Sequence, residues 1–120
     1  MASFTKAILS GSTDGTGISV HSATAGGVIT IHTGNSTTTT IEEVWLTAYN
    51  GTSQAHLITL EWGASATKDT IKKEVAPFDL APIVDGLPLQ GNATPLVISA
   101  YCSTTDAFSV FGHINRIDQS

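Results

Sequence analysis

Alternation of apolar and polar positions is clearest between Glu43 and Trp62. Two runs have this pattern, Glu43 to Tyr49 and His56 to Trp62, and the segment between them opens with Asn50-Gly51. A period of two residues is typical of β-strands, and an Asn-Gly pair between two such runs favours a tight turn. The sequence therefore predicts a β-hairpin at this point.

The two sides of this predicted hairpin carry different side chains. Its core positions are Val44, Leu46, Ala48, Ile58 and Leu60. The opposite side of the first strand carries Trp45 and Tyr49, so neither side is plainly polar. A sheet with aromatic rings on its outer side is either covered by another layer or offered to a partner. This pattern indicates assembly rather than catalysis.

The same alternation recurs along the chain in short segments separated by residues that favour turns. The predicted strands are Phe4 to Leu9, Ile18 to Ser22, Val28 to Thr33, Glu43 to Tyr49, His56 to Trp62, Thr70 to Ala76, Leu96 to Cys102 and Phe108 to Ile117. Gly, Asn, Asp and Ser fill the connections, as in the predicted Ala25-Gly26-Gly27 turn. About eight short strands without a helical pattern predict an all-β fold, a single antiparallel two-layer β-sandwich. We expect it to be jelly-roll-like, with an immunoglobulin-like strand order as the alternative.

The chain has 120 residues, which fits one compact domain with one core. We assign residues 18–120 to the sandwich. Residues 1–17 are predicted to form an N-terminal arm or an edge strand, followed by a Gly-rich hinge from Gly11 to Gly17. The apolar residues before this hinge fit either interpretation.

The segment from Ala76 to Gly91 interrupts the strand pattern and holds three of the four prolines. Proline has no backbone N–H, so a central strand is disfavoured here. We expect an apolar connection that crosses the end or the edge of the sandwich. It either seals the core or contacts a neighbouring subunit.

Composition and charge exclude several functions. Only 12% of the residues are charged and the formal net charge is −5, with five Lys and Arg residues in total. No basic stripe could neutralise several phosphates, so we expect no nucleic-acid partner and no binding to an anionic membrane. Cys102 is the one cysteine and is predicted to be a buried small hydrophobic residue. The first ten residues lack the pattern of a secretory signal, which predicts synthesis in a cytoplasm.

No group of residues in the sequence predicts catalysis, a cofactor or a metal site. The four histidines, His21, His32, His56 and His113, lack the close spacing of zinc ligands. The loop at Asp14-Gly15-Thr16-Gly17 lacks the Lys and the helix of a phosphate-binding loop. Three carboxylates, Glu42, Glu43 and Glu61, could meet across the hairpin, but surface carboxylates are usually solvated. The sequence predicts a protein that is not an enzyme.

Four short motifs follow one another in the second part of the chain. They are Glu43-Val44-Trp45-Leu46, Leu60-Glu61-Trp62-Gly63, Gly86-Leu87-Pro88-Leu89 and Phe111-Gly112-His113-Ile114-Asn115-Arg116-Ile117. In this order they resemble small head proteins of tailed bacteriophages, namely capsid decoration or cement proteins. The resemblance spans roughly Ile41 to Ile117. It implies a β-sandwich that trimerises on the outside of the virion head and bridges subunits of the major capsid protein.

The resemblance and the apolar pattern together predict a set of contact residues for a subunit or for the capsid. These are Phe4, Ile8, Leu9, Trp45, Tyr49, Phe78, Leu87 and Leu89. The alternative is a non-catalytic binding module of a phage tail or host-recognition structure. In that case exposed aromatic rings would contact glycan or protein, with Trp45, Tyr49 and Tyr101 as candidates.

Overall fold

The computed structural model describes residues 2–24, 27–105 and 107–119, and in these ranges the chain forms strands and connections. Part of the predicted Ala25-Gly26-Gly27 turn lies outside the described residues. The strands are β1 (Ser3–Ile8), β2 (Ile18–Val20), β3 (Ile29–Thr33), β4 (Thr40–Asn50), β5 (His56–Trp62), β6 (Thr70–Val75), β7 (Leu80–Gln90), β8 (Val97–Cys102) and β9 (Phe108–Asp118). A 3₁₀ turn, Thr67–Asp69, precedes β6.

The strands form two antiparallel sheets. Sheet A has the order β1-β9-β4-β7, with the short β2 also pairing with β9, and sheet B has the order β3-β8-β5-β6. The pairs β2–β9, β3–β8, β4–β7 and β5–β6 are therefore nested inside one another along the chain. This nesting is the strand order of a jelly roll. The predicted all-β, jelly-roll-like sandwich is confirmed, and each of the eight predicted segments contains a strand.

The core lies between the two sheets. Its fully buried side chains come from alternate positions, such as Val44 and Leu46 on β4 and Ile58 and Leu60 on β5. The predicted inner and outer sides of β4 are confirmed, because its burial alternates strictly along eleven residues. Cys102 is buried, as predicted.

The predicted hairpin between β4 and β5 is wrong. β4 pairs with β7 and β9 in sheet A, whereas β5 pairs with β6 and β8 in sheet B. The connection between them crosses from one sheet to the other and is held by the buried Asn50. The Asn50 side-chain amide donates to the carbonyls of Gln54 and Val75 at 2.8 and 3.0 Å, and its oxygen accepts the Thr52 N–H at 3.0 Å. These contacts satisfy the polar groups of the crossing segment and turn the chain out of sheet A.

The predicted Pro-rich connection is also wrong, because most of it is the strand β7. β7 lies at an edge of sheet A, where a strand pairs on one side only and proline is tolerated. Pro82 and Pro88 pair in register with Thr47 and Glu43, and the register shifts twice along the β4–β7 pair. An edge position with bulges therefore accommodates residues that a central strand would not.

The N-terminal segment forms the opposite edge of sheet A. β1 pairs with β9 from Ser3 to Ile8, and the chain then crosses to sheet B. Leu9 is buried in the core, and the Gly11 N–H donates to the Ile31 carbonyl at 3.0 Å. The segment is therefore anchored directly after β1, before most of the predicted Gly-rich hinge. Its extension as an arm on a partner stays a prediction.

Candidate interaction surface

The outer face of sheet A is an exposed sheet surface rich in apolar side chains. We define it as the residues of β1, β9, β4 and β7 that point away from sheet B. Strand pairing places Ile8, His113, Trp45 and Asp85 in one row across the four strands. The neighbouring rows carry further large exposed or half-buried side chains, namely Phe4, Tyr49, Leu80, Phe111 and Ile117.

Trp45 occupies the centre of this face. Its indole ring stacks on the imidazole of His113, with 6.0 Å between ring centroids and an interplanar angle of 7°. On the other side, a Cβ on Gly86 would lie 2.9 Å from Trp45 Cζ2, and Gly86 has φ +75°, so this position of β7 requires glycine. Burial and the nearby positive charge of Lys6 lower the pKa of His113, which favours the neutral form of the stacked imidazole. The indole is thereby held as a fixed, partly exposed platform.

An apolar groove of about 540 Å³ lies beside Trp45 on the same face. It is lined by Thr47, Tyr49, Leu80, Phe111 and Gly112, and carries no charged side chain among these lining residues. Together with Trp45, the groove makes one end of the face apolar.

The other end of the face carries polar and charged side chains as well as apolar ones. A smaller depression of about 360 Å³ is lined by Phe4, Thr5, Lys6, Glu43, Asn115 and Ile117. Two opposite charges, Lys6 and Glu43, lie in the same row on either side of Asn115. The outer face thus divides into an apolar end at the groove and a mixed polar end at β1.

A buried polar network joins the two sheets behind the outer face. Glu42 on β4 is fully buried and accepts from His32 Nε2 of β3 at 2.8 Å and from Arg116 Nε of β9 at 2.9 Å. Arg116 Nη2 also lies 2.8 Å from the same carboxylate. The Ser10 N–H donates to His32 Nδ1 at 3.0 Å, so the ring proton lies on Nε2 and is donated to Glu42.

The charge of Glu42 is stabilised by this network. Burial alone would raise the pKa of its carboxyl, but the hydrogen bonds from His32 and Arg116, together with the charge of Arg116, outweigh burial and hold the pKa below its ordinary value. Every buried side-chain oxygen and nitrogen in the described ranges has a hydrogen-bond partner, so the network has no spare group aimed at a ligand. The network therefore connects the two sheets and contributes to the stability of the fold. Sequence reasoning missed it because its members come from three separate strands.

The predicted contact residues separate into surface and core. The side chains of Phe4, Ile8, Trp45, Phe78 and Leu87 are exposed, and that of Tyr49 is half-buried in the groove wall. Leu9 and Leu89 are 1% and 4% exposed, so we correct their assignment. Both are core residues: Leu89 lies on the inner side of β7, and Leu9 follows β1 where the chain crosses to sheet B.

The structure also adds two residues to the predicted surface and removes one from it. Phe111 and Leu80 line the groove, although the sequence did not single out Phe111 as a contact and placed Leu80 in a connection. Alternation along β9 was the available signal for Phe111, since it is offset by one from the buried Val110. Tyr101 lies on sheet B between the core residues Ala100 and Cys102, so it is not on the face that carries Trp45.

The remaining candidates for chemistry do not come together. Glu42 is in the buried network, Glu43 is on the outer face of sheet A, and Glu61 is on sheet B. The part of the chain that the structure describes contains no group of three or more His, Cys, Asp or Glu residues able to hold a metal ion. Within the same residues, no helix has the length and apolar character needed to cross a membrane.

Comparisons with known proteins add no family to this description. No protein-family model, no curated protein and no solved structure matches the chain. The fold and the outer face of sheet A are therefore the features that bear on its function.

Proposed function

We propose that this protein is a capsid decoration, or cement, protein of a tailed bacteriophage. In this proposal it binds the outer surface of the head and stabilises the shell by bridging subunits of the major capsid protein. The observation that carries the proposal is the apolar, aromatic outer face of sheet A on an otherwise complete jelly roll. An exposed sheet face of this kind is stabilised when another protein covers it.

The physical demands on a cement protein agree with such a surface. A decoration protein needs no reactive group, because it acts by burying area against several partners at once. Each contact can be weak, since the capsid lattice presents the next site at a high effective concentration. A rigid sandwich core with fixed aromatic side chains on one face loses little conformational entropy when it binds.

The chemistry of the groove favours a protein partner over a glycan. Sugars are held by aromatic stacking together with several hydrogen-bonding groups beside the ring. The groove next to Trp45 has mostly apolar walls, and Tyr101 lies on the other sheet. The alternative, a glycan-binding module of a phage tail, therefore has Trp45 and Tyr49 in its favour but not the third predicted aromatic residue.

Association with heads that lack the protein tests this proposal. We expect the purified protein to co-sediment with such heads at a fixed number of copies per shell and to raise the temperature at which they release DNA. Thr47→Lys places a charge among Tyr49 and Phe111 in the groove, and we expect it to weaken head binding by about tenfold or more. Thr30→Lys makes the same change at an exposed position of β3 and should leave binding unchanged.

Two results would contradict a cement function. One is failure of the wild-type protein to bind heads that lack it, together with undecorated heads that are no less stable. The other is equal loss of binding for Thr47→Lys and Thr30→Lys, which would separate head binding from the outer face. A homotrimer is part of the proposal, because threefold symmetry matches the threefold positions of a shell.

A further inference from the structure

A β-bulge in β7 shapes the surface beside Trp45. Val44 pairs with Leu87, but the next pair is Trp45 with Asp85, so Gly86 is an extra residue between two paired positions. Gly86 has φ +75°, and a Cβ on it would lie 2.9 Å from Trp45 Cζ2, so the indole lies against the bulge. Bulges redirect the side chains next to them. This bulge therefore seats the indole of Trp45 beside Asp85.

Asp85 has no cationic partner among the described residues. Its side chain is exposed and follows the buried Val84, which places it on the outer face opposite Trp45. The lysine of this face, Lys6, lies on β1, three strands from β7, or about 14 Å at ~4.8 Å per strand. That separation exceeds the screening length of about 8 Å at physiological salt. Burial and Lys6 lower the pKa of His113, so the imidazole beside Trp45 does not supply the missing charge.

A partner that covers Trp45 also removes water from the carboxylate of Asp85. Burying an unpaired carboxylate is unfavourable, whereas pairing it with a cation in the complex offsets the lost hydration. Glu43 lies two residues from Trp45 on the same side of β4 and adds a second negative charge. The surface around the indole is therefore complementary to a positive charge on the partner.

An indole beside a carboxylate fits the guanidinium group of arginine. This group is flat, stacks on the face of an aromatic ring and donates two parallel hydrogen bonds to one carboxylate, whereas the ammonium of lysine is compact and strongly hydrated. We propose that Trp45 and Asp85 bind an arginine side chain of the partner protein, which stacks on the indole and pairs with the carboxylate. This inference rests on the proposed function and deepens it, since it gives the chemistry of the capsid residue that the outer face of sheet A recognises.

The apolar groove adds a requirement for the residues near this arginine. Trp45 and the groove residue Thr47 are two positions apart on β4, or ~6.6 Å at ~3.3 Å per residue. Side chains two positions apart on an extended partner segment lie on the same side with the same spacing. An extended segment with an apolar side chain two residues from its arginine therefore fills the groove and covers the indole together.

A short peptide tests this inference without heads. The probe is acetyl-Leu-Thr-Arg-Thr-Leu-amide, and the control peptide carries citrulline, a neutral isostere, in place of arginine. We expect the probe to shift the NMR signal of the Trp45 indole N–H, assigned with Trp45→Phe, with half-saturation at about 1–10 mM. The citrulline peptide should bind at least threefold more weakly.

Two variants test the carboxylate with the same peptide. Asp85→Asn removes the charge with little change of shape and should weaken binding of the probe by about threefold to tenfold. Glu74→Gln removes one negative charge from an exposed position of β6 and should bind the probe as the wild type does. This control separates pairing at Asp85 from the general attraction of a cationic peptide to an acidic protein.

Chemical modification of the heads identifies the partner group in the complex. Phenylglyoxal modifies arginine, and acetylation modifies lysine. We expect phenylglyoxal treatment of heads that lack the protein to weaken wild-type binding by about tenfold. It should affect Asp85→Asn much less, because that variant has already lost the pairing. Acetylation of the heads should leave wild-type binding unchanged, and Trp45→Leu, which lacks the aromatic ring, should bind untreated heads about tenfold more weakly.

Three results would overturn the inference. They are arginine and citrulline peptides that act equally on the Trp45 signal, head binding that Asp85→Asn leaves unchanged, and loss of head binding after acetylation but not after phenylglyoxal. Each is compatible with wild-type protein that binds heads at a fixed number of copies, so the cement function would stand. Wild-type protein that fails to bind heads but binds the arginine peptide through Asp85 would contradict the proposed function and support the arginine site.

Discussion

The carboxylate of Glu42 on β4 binds side chains of β3 and β9 inside the sandwich. Replacement by Gln removes the charge and directs an amide N–H toward the donors of Arg116. Breaking a buried ion pair costs about 3–5 kcal/mol, and the partial exposure of Arg116 reduces this to about 2–3 kcal/mol. We expect Glu42→Gln to lower the free energy of unfolding by this amount, as measured by chemical denaturation at pH 7. Glu74→Gln, on the exposed side of β6, should change it by less than about 0.5 kcal/mol.

The pH dependence of the same variant follows from the lowered pKa of Glu42. A carboxyl with a lowered folded-state pKa adds stability above its unfolded value of 4.5, and that stability is lost as the pH falls through the folded-state pKa. The difference in unfolding free energy between wild type and Glu42→Gln should therefore be full at pH 7 and shrink below pH 4.5. A difference that stays constant down to pH 3 would show that the charge of Glu42 contributes nothing.

Asn50 controls the connection in which β4 leaves sheet A and the chain enters sheet B. Its side-chain amide donates to carbonyls of Gln54 and Val75, and its oxygen accepts the Thr52 N–H. Asn50→Ala leaves these groups without partners near the core, and we expect a loss of about 2–3 kcal/mol in unfolding free energy. Asn92→Ala removes an exposed turn contact to Thr94 and should cost less than about 0.5 kcal/mol.

The isosteric variant Asn50→Asp separates donor from acceptor. It keeps the oxygen that accepts from Thr52 but replaces the amide donor with a second carboxylate oxygen, buried against carbonyl groups. We expect it to be at least as destabilising as Asn50→Ala at pH 7. Stability near that of the wild type would show that the amide donations do not hold the connection.

Strand positions were predictable from the sequence, whereas strand partners were not. Alternation is a local property that follows from one face being buried, so the eight segments and the two sides of β4 could be read directly. A five-residue connection after Asn50 fits either a hairpin or a crossing between sheets, and only the distant Val75 carbonyl distinguishes them. β7 was missed because its prolines are acceptable at a sheet edge, and edge position depends on the whole fold.

The same limit applies to the candidate surface. Trp45 and Tyr49 follow from alternation along β4 alone. The groove between them and β7 depends on Phe111 and Leu80, which the pairing of three strands brings together from separate parts of the chain. The buried pair of Glu42 and Arg116 spans 74 positions and has no local pattern at all.

At the scale of the whole molecule, the N-terminal segment contains a part that the fold needs and a part that it does not. The side chains of residues 2–6 are exposed at the edge of sheet A, whereas Leu9 is buried and Ser10 donates its N–H to His32. Deletion of residues 1–6 should therefore leave a folded sandwich with a melting temperature lowered by a few degrees. Deletion of residues 1–10 also removes Leu9 from the core, which should cost about 2–5 kcal/mol.

These two deletions decide whether the segment acts as an arm. If it does, the shorter deletion should abolish head binding although the protein remains folded and keeps its oligomeric mass, as checked by circular dichroism and sedimentation. The longer deletion is not a clean test, because lost binding could follow from the lost core contact. Full head binding by the protein without residues 1–6 would assign the segment to an edge strand alone, and the capsid contact would then depend on the rest of the sandwich.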